Sequence, residues 1–238
     1  MDGIFRDATT GLDIYYVRLG AAKVFYADVS GLCVDKVRDT LSKDRIEKID
    51  TLKRDIDKKL SAGAEYLLNI AVSECYPHIR MPLEYKYGKS KKPEFSGIDN
   101  LHFNMSHSGT VAVCAIADTE VGVDIELSDR ISEGVINKYF TDSEKQMLKS
   151  NPKMSFAYIW TRKESVVKAE GTGLALGLSA FSVIDDTLTL NGDDYCIMSI
   201  TPEIEGYNLA LCQKLVSGKT CQSPYMSQTH NRSLQEQG

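Results

Sequence analysis

The pattern of apolar and polar positions changes period several times along the chain. Residues 12–30 carry Ile14, Tyr15, Tyr16, Val17, Val24 and Phe25 in loose alternation and read as two strands. Residues 32–73 read as helix. The first part is densely charged with both signs, and Asp44/Lys48, Asp50/Arg54 and Asp55/Lys59 sit four apart, as on solvated helical faces. Ala62 to Val72 is more apolar and packs inward. Residues 77–100 hold Pro77, Pro82, Gly88, Pro93 and Gly97 and read as loop with short extended pieces. Thr110–Ala117 and Glu120–Glu126 then read as two strands joined by an Asp118-Thr119 turn, which predicts a hairpin. Helices follow at 132–139, 142–150 and 153–170, the last stopped by Gly171 and Gly173. Strands near 180–190, 195–201 and 207–215 close the pattern.

Strand and helix segments thus occur in both halves, without a residue-level repeat. The expected division is an N-terminal lobe at 1–103, a C-terminal lobe at 104–216 and a polar, disordered tail at 217–238. A chain of 238 residues suits one domain or two half-sized lobes.

Composition narrows the class. The hydrophobic and charged fractions, 42% and 26%, are those of a soluble globular protein. A net charge of -5 argues against a general nucleic-acid binder. Cys33, Cys75, Cys114, Cys196, Cys212 and Cys221 form no CxxC pair and read as buried free thiols of a reducing compartment. The segment Met1–Asp7 lacks a basic region followed by an apolar core, and the apolar run Val111–Ala117 is too short to span a bilayer. The expectation is a cytoplasmic protein that engages neither membrane nor nucleic acid.

The candidate chemistry lies in three segments. In Val121-Gly122-Val123-Asp124-Ile125-Glu126, strand alternation puts Val121, Val123 and Ile125 on one face and Asp124 with Glu126 on the other. Two carboxylates so placed either face water or are held by a cation, and spacing alone leaves both open. On a helix, Phe156, Trp160, Glu164 and Lys168 share one face, so Glu164 is either half of an ordinary Glu–Lys pair or part of a site. Taken together, Asp124, Glu126 and Glu164 make an oxygen-rich set suited to magnesium, or to manganese. Glu164 could then act as a base, and Lys168, one turn on, as an acid or phosphate clamp. Asn104-Met105-Ser106-His107-Ser108-Gly109 offers hydroxyls, an imidazole and backbone N–H groups, a nest for phosphate or a simple turn. Lys86, Lys89, Lys91 and Lys92 form a short basic cluster.

Other motifs fail. Ser217-Gly218-Lys219-Thr220 ends like a P-loop, but Gln213 stands where the first glycine belongs. Thr141-Asp142-Ser143-Glu144 is a capping box. Neither an HxxxH motif nor a Cys/His cluster points to zinc.

In this order the segments resemble the 4′-phosphopantetheinyl transferases, specifically the long, surfactin-synthetase-activating type. The resemblance rests on Phe103–Ser108, Val121–Glu126, Phe140–Glu144, Trp160–Lys168 and Gly171–Leu174, and covers about residues 85–184. It implies an α+β fold of two similar α/β lobes related by a pseudo-twofold, with coenzyme A as substrate in the cleft between them, in a monomer. It also implies a magnesium ion on Asp124, Glu126 and Glu164. Glu164 would deprotonate a serine of an apo carrier domain (peptidyl, polyketide or fatty-acyl) and Lys168 would serve the departing phosphate as 3′,5′-ADP leaves. Ser106 and His107 would hold a coenzyme A phosphate, with Lys163 as a second contact. The family's phosphate loop, often Gly-Lys-Pro, is Gly88-Lys89-Ser90 here, and Lys58 or Lys59 stands in for an arginine ahead of Gly63. A metal-dependent nuclease and a non-catalytic binding module are the alternatives.

Overall fold

The computed structural model describes residues 3–87, 92–151, 154–216 and 220–221. The Gly88-Lys89-Ser90 loop, Lys91 and nearly all of the 217–238 tail lie outside them.

Two sheets form the centre. The first contains β1 (Gly3–Arg6), β2 (Asp13–Leu19), β3 (Ala22–Asp28), β6 (His102–Ser108) and β7 (Val111–Ala117), in the order β1-β2-β3-β7-β6. The second contains β8 (Val121–Leu127), β9 (Thr187–Leu190), β10 (Asp193–Ile200) and β11 (Tyr207–Lys214), in the order β8-β11-β10-β9. A small ribbon of β4 (Tyr85–Tyr87) and β5 (Pro93–Phe95) stands beside them. Helices α1 (Lys43–Thr51) and α2 (Asp55–Cys75) precede the ribbon. Helices α3 (Glu133–Tyr139), α4 (Asp142–Ser150) and α5 (Phe156–Glu170) follow β8. This is an α+β fold.

Strand alternation explains the layering. Ala112, Cys114 and Ile116 of β7 join a core with Leu67, Leu68, Ala71 and Val72 of α2. Val111, Val113 and Ala115 point the other way, into a core shared with Val121, Val123 and Ile125 of β8 and Leu209 and Leu211 of β11. A third core joins Val166 and Val167 of α5 to Ile197 and Cys212. The order is therefore helices, sheet, sheet, helices.

Three expectations are corrected. The hairpin proposed for 110–126 does not form, because β3 and β6 take both edges of β7. The chain instead crosses at 118–120 into the second sheet, where β8 pairs with β11. The observed hairpin is β6–β7, and the chain passes from the first sheet to the second at 118–120. The helix expected over 32–73 is broken. Single 3-10 turns occupy Val34–Lys36 and Arg38–Thr40, Ser42 caps α1 by accepting from Arg45 N, and Leu52-Lys53-Arg54 separates α1 from α2. The free-thiol reading fails for two cysteines, since Cys196 and Cys221 are disulfide-bonded with Cα atoms 5.2 Å apart. Cys114 and Cys212 are buried free thiols, Cys75 is half-buried and Cys33 is exposed.

Among the described residues, no helix is long and apolar enough to cross a membrane.

Candidate active site

The two sheets meet along a seam between β6 and β8. The contact is made by side chains rather than by a backbone ladder. Asn104 Oδ1 accepts from Val123 N at 3.0 Å, Ser106 Oγ donates to Asp124 Oδ1 at 2.8 Å, and Ser108 Oγ donates to Glu126 Oε2 at 2.7 Å. Each is two residues from the next on β6, as one strand face requires. Two edges that could template further strands are thereby tied to each other.

Helix α5 covers the carboxylate face of β8. Ser155 caps it by accepting from Tyr158 N, and Gly171 ends it in the left-handed conformation with φ 85°. Gly122 explains the close approach. A Cβ there would lie 2.1 Å from Ser165 O and 2.4 Å from Ala169 N, so β8 and α5 touch backbone to backbone. Lys92 fastens the same contact by donating to Val121 O at 3.1 Å and Ala169 O at 3.2 Å. Phe156 and Trp160 stack with centroids 5.9 Å apart, and Phe140 stacks on Phe156 at 5.6 Å, which fixes the register of the stripe bearing Glu164.

Charge is concentrated here. Lys168 Nζ lies 2.6 Å from Asp124 Oδ1, 2.9 Å from Ser106 Oγ and 3.2 Å from Val123 O. Lys168 therefore pairs with Asp124 across the elements, not simply with Glu164 along its own helix. Glu126 is paired with Arg130. Burial pushes the Asp124 carboxyl above the usual range, although Lys168 and Ser106 pull it down. Burial also raises Glu164, with the Asp124 charge adding to the rise and Lys168 opposing it.

One feature of this donor set suits a divalent cation. Asp124 is 5% exposed, and its Oδ2 is buried with no hydrogen-bond partner among the described residues. An orphaned carboxylate oxygen beside two further carboxylates asks for a cation. Among the described residues no three His, Cys, Asp or Glu side chains converge as a ready-made cage. Lys168 and Ser106 meet Oδ1 of Asp124, and Arg130 and Ser108 meet the two oxygens of Glu126.

The remaining expected site residues scatter. Ser106 and His107 were expected to act together on a phosphate, but adjacent strand residues face opposite ways. Ser106 serves Asp124 and Lys168. His107 is exposed at its strand position, and partial desolvation of its ring, then the charges of Lys48, Lys168 and Arg45, lower its pKa. Lys163 is not a phosphate contact. It is 0% exposed, paired with Glu144 at 3.0 Å, and donates to Leu178 O and Phe181 O at 2.8 and 2.7 Å. Glu144 also completes the expected capping box with Thr141. Lys59 pairs with Asp55 and donates to Ser30 O, lining a separate cavity with Arg38 and Lys58. Lys89 lies outside the described residues.

Arg45 and Lys48 were missed. Arg45 is held by Glu65, at 2.8 Å, and by Ser61 Oγ at 3.2 Å, which aims a fixed cation from α1 toward β6. Their only sequence signal is membership of a charged helix, which offers no reason to select them.

Residues 120–212 match the ACPS family, the 4′-phosphopantetheinyl transferase superfamily. The match begins at β8 and spans the second sheet with α3–α5. The 4′-phosphopantetheinyl transferase psf-1 of Bacillus pumilus is 30% identical over 67% of this chain and 72% of its own length. The 4′-phosphopantetheinyl transferase ffp of Bacillus subtilis is 29% identical over 75% of this chain and 84% of its own. The 4′-phosphopantetheinyl transferase AcpT of Salmonella typhi is 35% identical over 45% and 60%. This chain belongs to the 4′-phosphopantetheinyl transferase family, and it is an enzyme of the long type anticipated from its motifs.

Proposed function

We propose that this enzyme transfers the 4′-phosphopantetheine arm of coenzyme A to a serine of an apo carrier protein and releases 3′,5′-ADP. The observation that carries the reading is Asp124, buried, with one oxygen on Lys168 and the other unpartnered, beside the raised carboxyl of Glu164. Magnesium, or manganese, held by Asp124, Glu126 and Glu164 would neutralise charge on the coenzyme A pyrophosphate.

The chain's own groups do the rest. Glu164, directly or through water, takes the proton of the carrier serine, and its raised pKa suits a base working nearer neutrality. The serine oxygen bonds to the β-phosphorus that bears the pantetheine arm, and the bond to the bridging oxygen of the α-phosphate breaks. Lys168 stabilises or protonates the oxygen that departs. His107, with Arg45 and Lys48 nearby, binds a phosphate of coenzyme A. Positioning and charge neutralisation supply most of the acceleration. Coenzyme A lies along the cleft between two lobes of one chain, which supports action as a monomer. The carriers are peptidyl, polyketide or fatty-acyl domains, all of which offer a serine.

Incubation with coenzyme A, magnesium and an apo carrier domain tests the reading. A carrier mass gain of one phosphopantetheine arm is expected. An unmodified carrier would contradict the reading.

A further inference from the structure

Asp124 and Glu126 each carry a cation already, but the two cations are held differently. Lys168 is 26% exposed and reaches three acceptors: Asp124 Oδ1, Ser106 Oγ and Val123 O. Arg130 is 52% exposed, and the side-chain bond described for it is to Glu126 Oε1. A turn closed by Arg130 N donating to Leu127 O, at 3.2 Å, folds it back over the end of β8. Ser108 Oγ holds the other oxygen, Oε2, at 2.7 Å. Glu126 is thus engaged at both oxygens, and a cation approaching Oε1 meets the like charge of the Arg130 guanidinium. Arg130 is the donor that water can replace, since its guanidinium is half in solvent and its pair with Glu126 is of the weakly held, partly exposed kind.

We propose that Arg130 is a built-in competitor for the divalent cation at Glu126, and that its release sets the affinity of the site. This rests on the assignment of Asp124, Glu126 and Glu164 as the cation ligands. Metal bound to a site whose competent form is only partly populated appears weaker by that fraction, so removing the competitor tightens binding. For a half-exposed pair the gain is about two- to five-fold.

The test counts free Mn2+ by electron paramagnetic resonance during titration of the full chain, without coenzyme A or carrier, and so reads binding rather than turnover. Arg130→Gln should bind Mn2+ about two- to five-fold more tightly than the unaltered protein. Lys149→Gln, at an exposed position on α4 away from β8, removes the same charge and should leave the affinity unchanged. Equal affinity in Arg130→Gln and the unaltered protein overturns the inference, and so does an equal gain in Lys149→Gln, which would reduce the effect to net charge. Absence of Mn2+ binding in every variant overturns the ligand assignment itself, and is distinguishable from both.

Discussion

Lys168 Nζ lies 2.6 Å from Asp124 Oδ1, while Asp124 Oδ2 is buried without a hydrogen-bond partner among the described residues. The two oxygens of one carboxylate are thus treated differently: one is paired with a lysine, and the other has no donor among the described residues. The backbone contact at Gly122 holds β8 close against α5, the helix that carries Lys168.

Removing either Asp124 or Glu164 removes one of the site's three carboxylates. Asp124→Ala and Glu164→Ala are each expected to slow transfer at least ~100-fold, the lower range for a lost electrostatic or acid–base group. Labelled coenzyme A transfer to an apo carrier domain measures this, and near-normal rates in either variant would remove that residue from the mechanism.

His107→Ala should act on binding. Its ring shares a neighbourhood with Arg45 and Lys48, so the expected effect is a raised KM for coenzyme A with kcat largely kept. A lower kcat at unchanged KM would place the imidazole in the chemical step instead.

Lys163→Met should act on stability. It leaves Glu144, also 0% exposed, as an unpaired buried charge, at a cost of roughly 3–5 kcal/mol. Chemical denaturation reads the loss. The folded fraction should keep its KM for coenzyme A, since Lys163 points into the core; a selective KM effect without destabilisation would restore it as a phosphate contact.

Gly122→Ala tests the backbone contact. The added methyl would sit 2.1 Å from Ser165 O, closer than any real carbon–oxygen contact, so β8 and α5 must separate. Overpacking of this kind costs roughly 1–3 kcal/mol, and transfer should fall further than stability does because Lys168 moves off Asp124. Unchanged activity would mean that the strand–helix distance is not what positions the pair.

The pH dependence has a definite sign. Asp124 and Glu164 both have carboxyls raised by burial. A raised folded-state pKa favours the protonated form, so their contribution to stability is fully present below the ordinary carboxylate range and is lost as pH rises through the raised values. A divalent cation binds the deprotonated groups and offsets that loss. The rise in Tm caused by magnesium should therefore grow with pH between about pH 4 and pH 8. A magnesium effect largest at the acid end would contradict it.

Much of the candidate site was legible because strand and helix periods are local. Alternation in 121–126 put Asp124 and Glu126 on one face, and β8 does bury Val121, Val123 and Ile125 on the other. A step of four put Glu164 and Lys168 in line on α5. What failed was long-range. No local signal shows that β3 and β6 claim both edges of β7, so the 110–126 segment looked like a hairpin. Lys163 and Lys168 are alike in sequence, and only the packing of Glu144 against α5 sends one into the core and leaves the other at the seam. Cys196 and Cys221 are separated by 25 residues and become neighbours only once the chain has crossed the second sheet.

The most direct measurement compares the unaltered protein with Glu164→Gln in single-turnover transfer from coenzyme A to an apo carrier domain, with magnesium, followed by intact mass. The substitution keeps the size of the side chain and removes its charge and basicity. The unaltered protein should give a carrier heavier by one phosphopantetheine arm, and Glu164→Gln should give at least ~100-fold slower conversion. Equal rates for the two proteins would contradict the account.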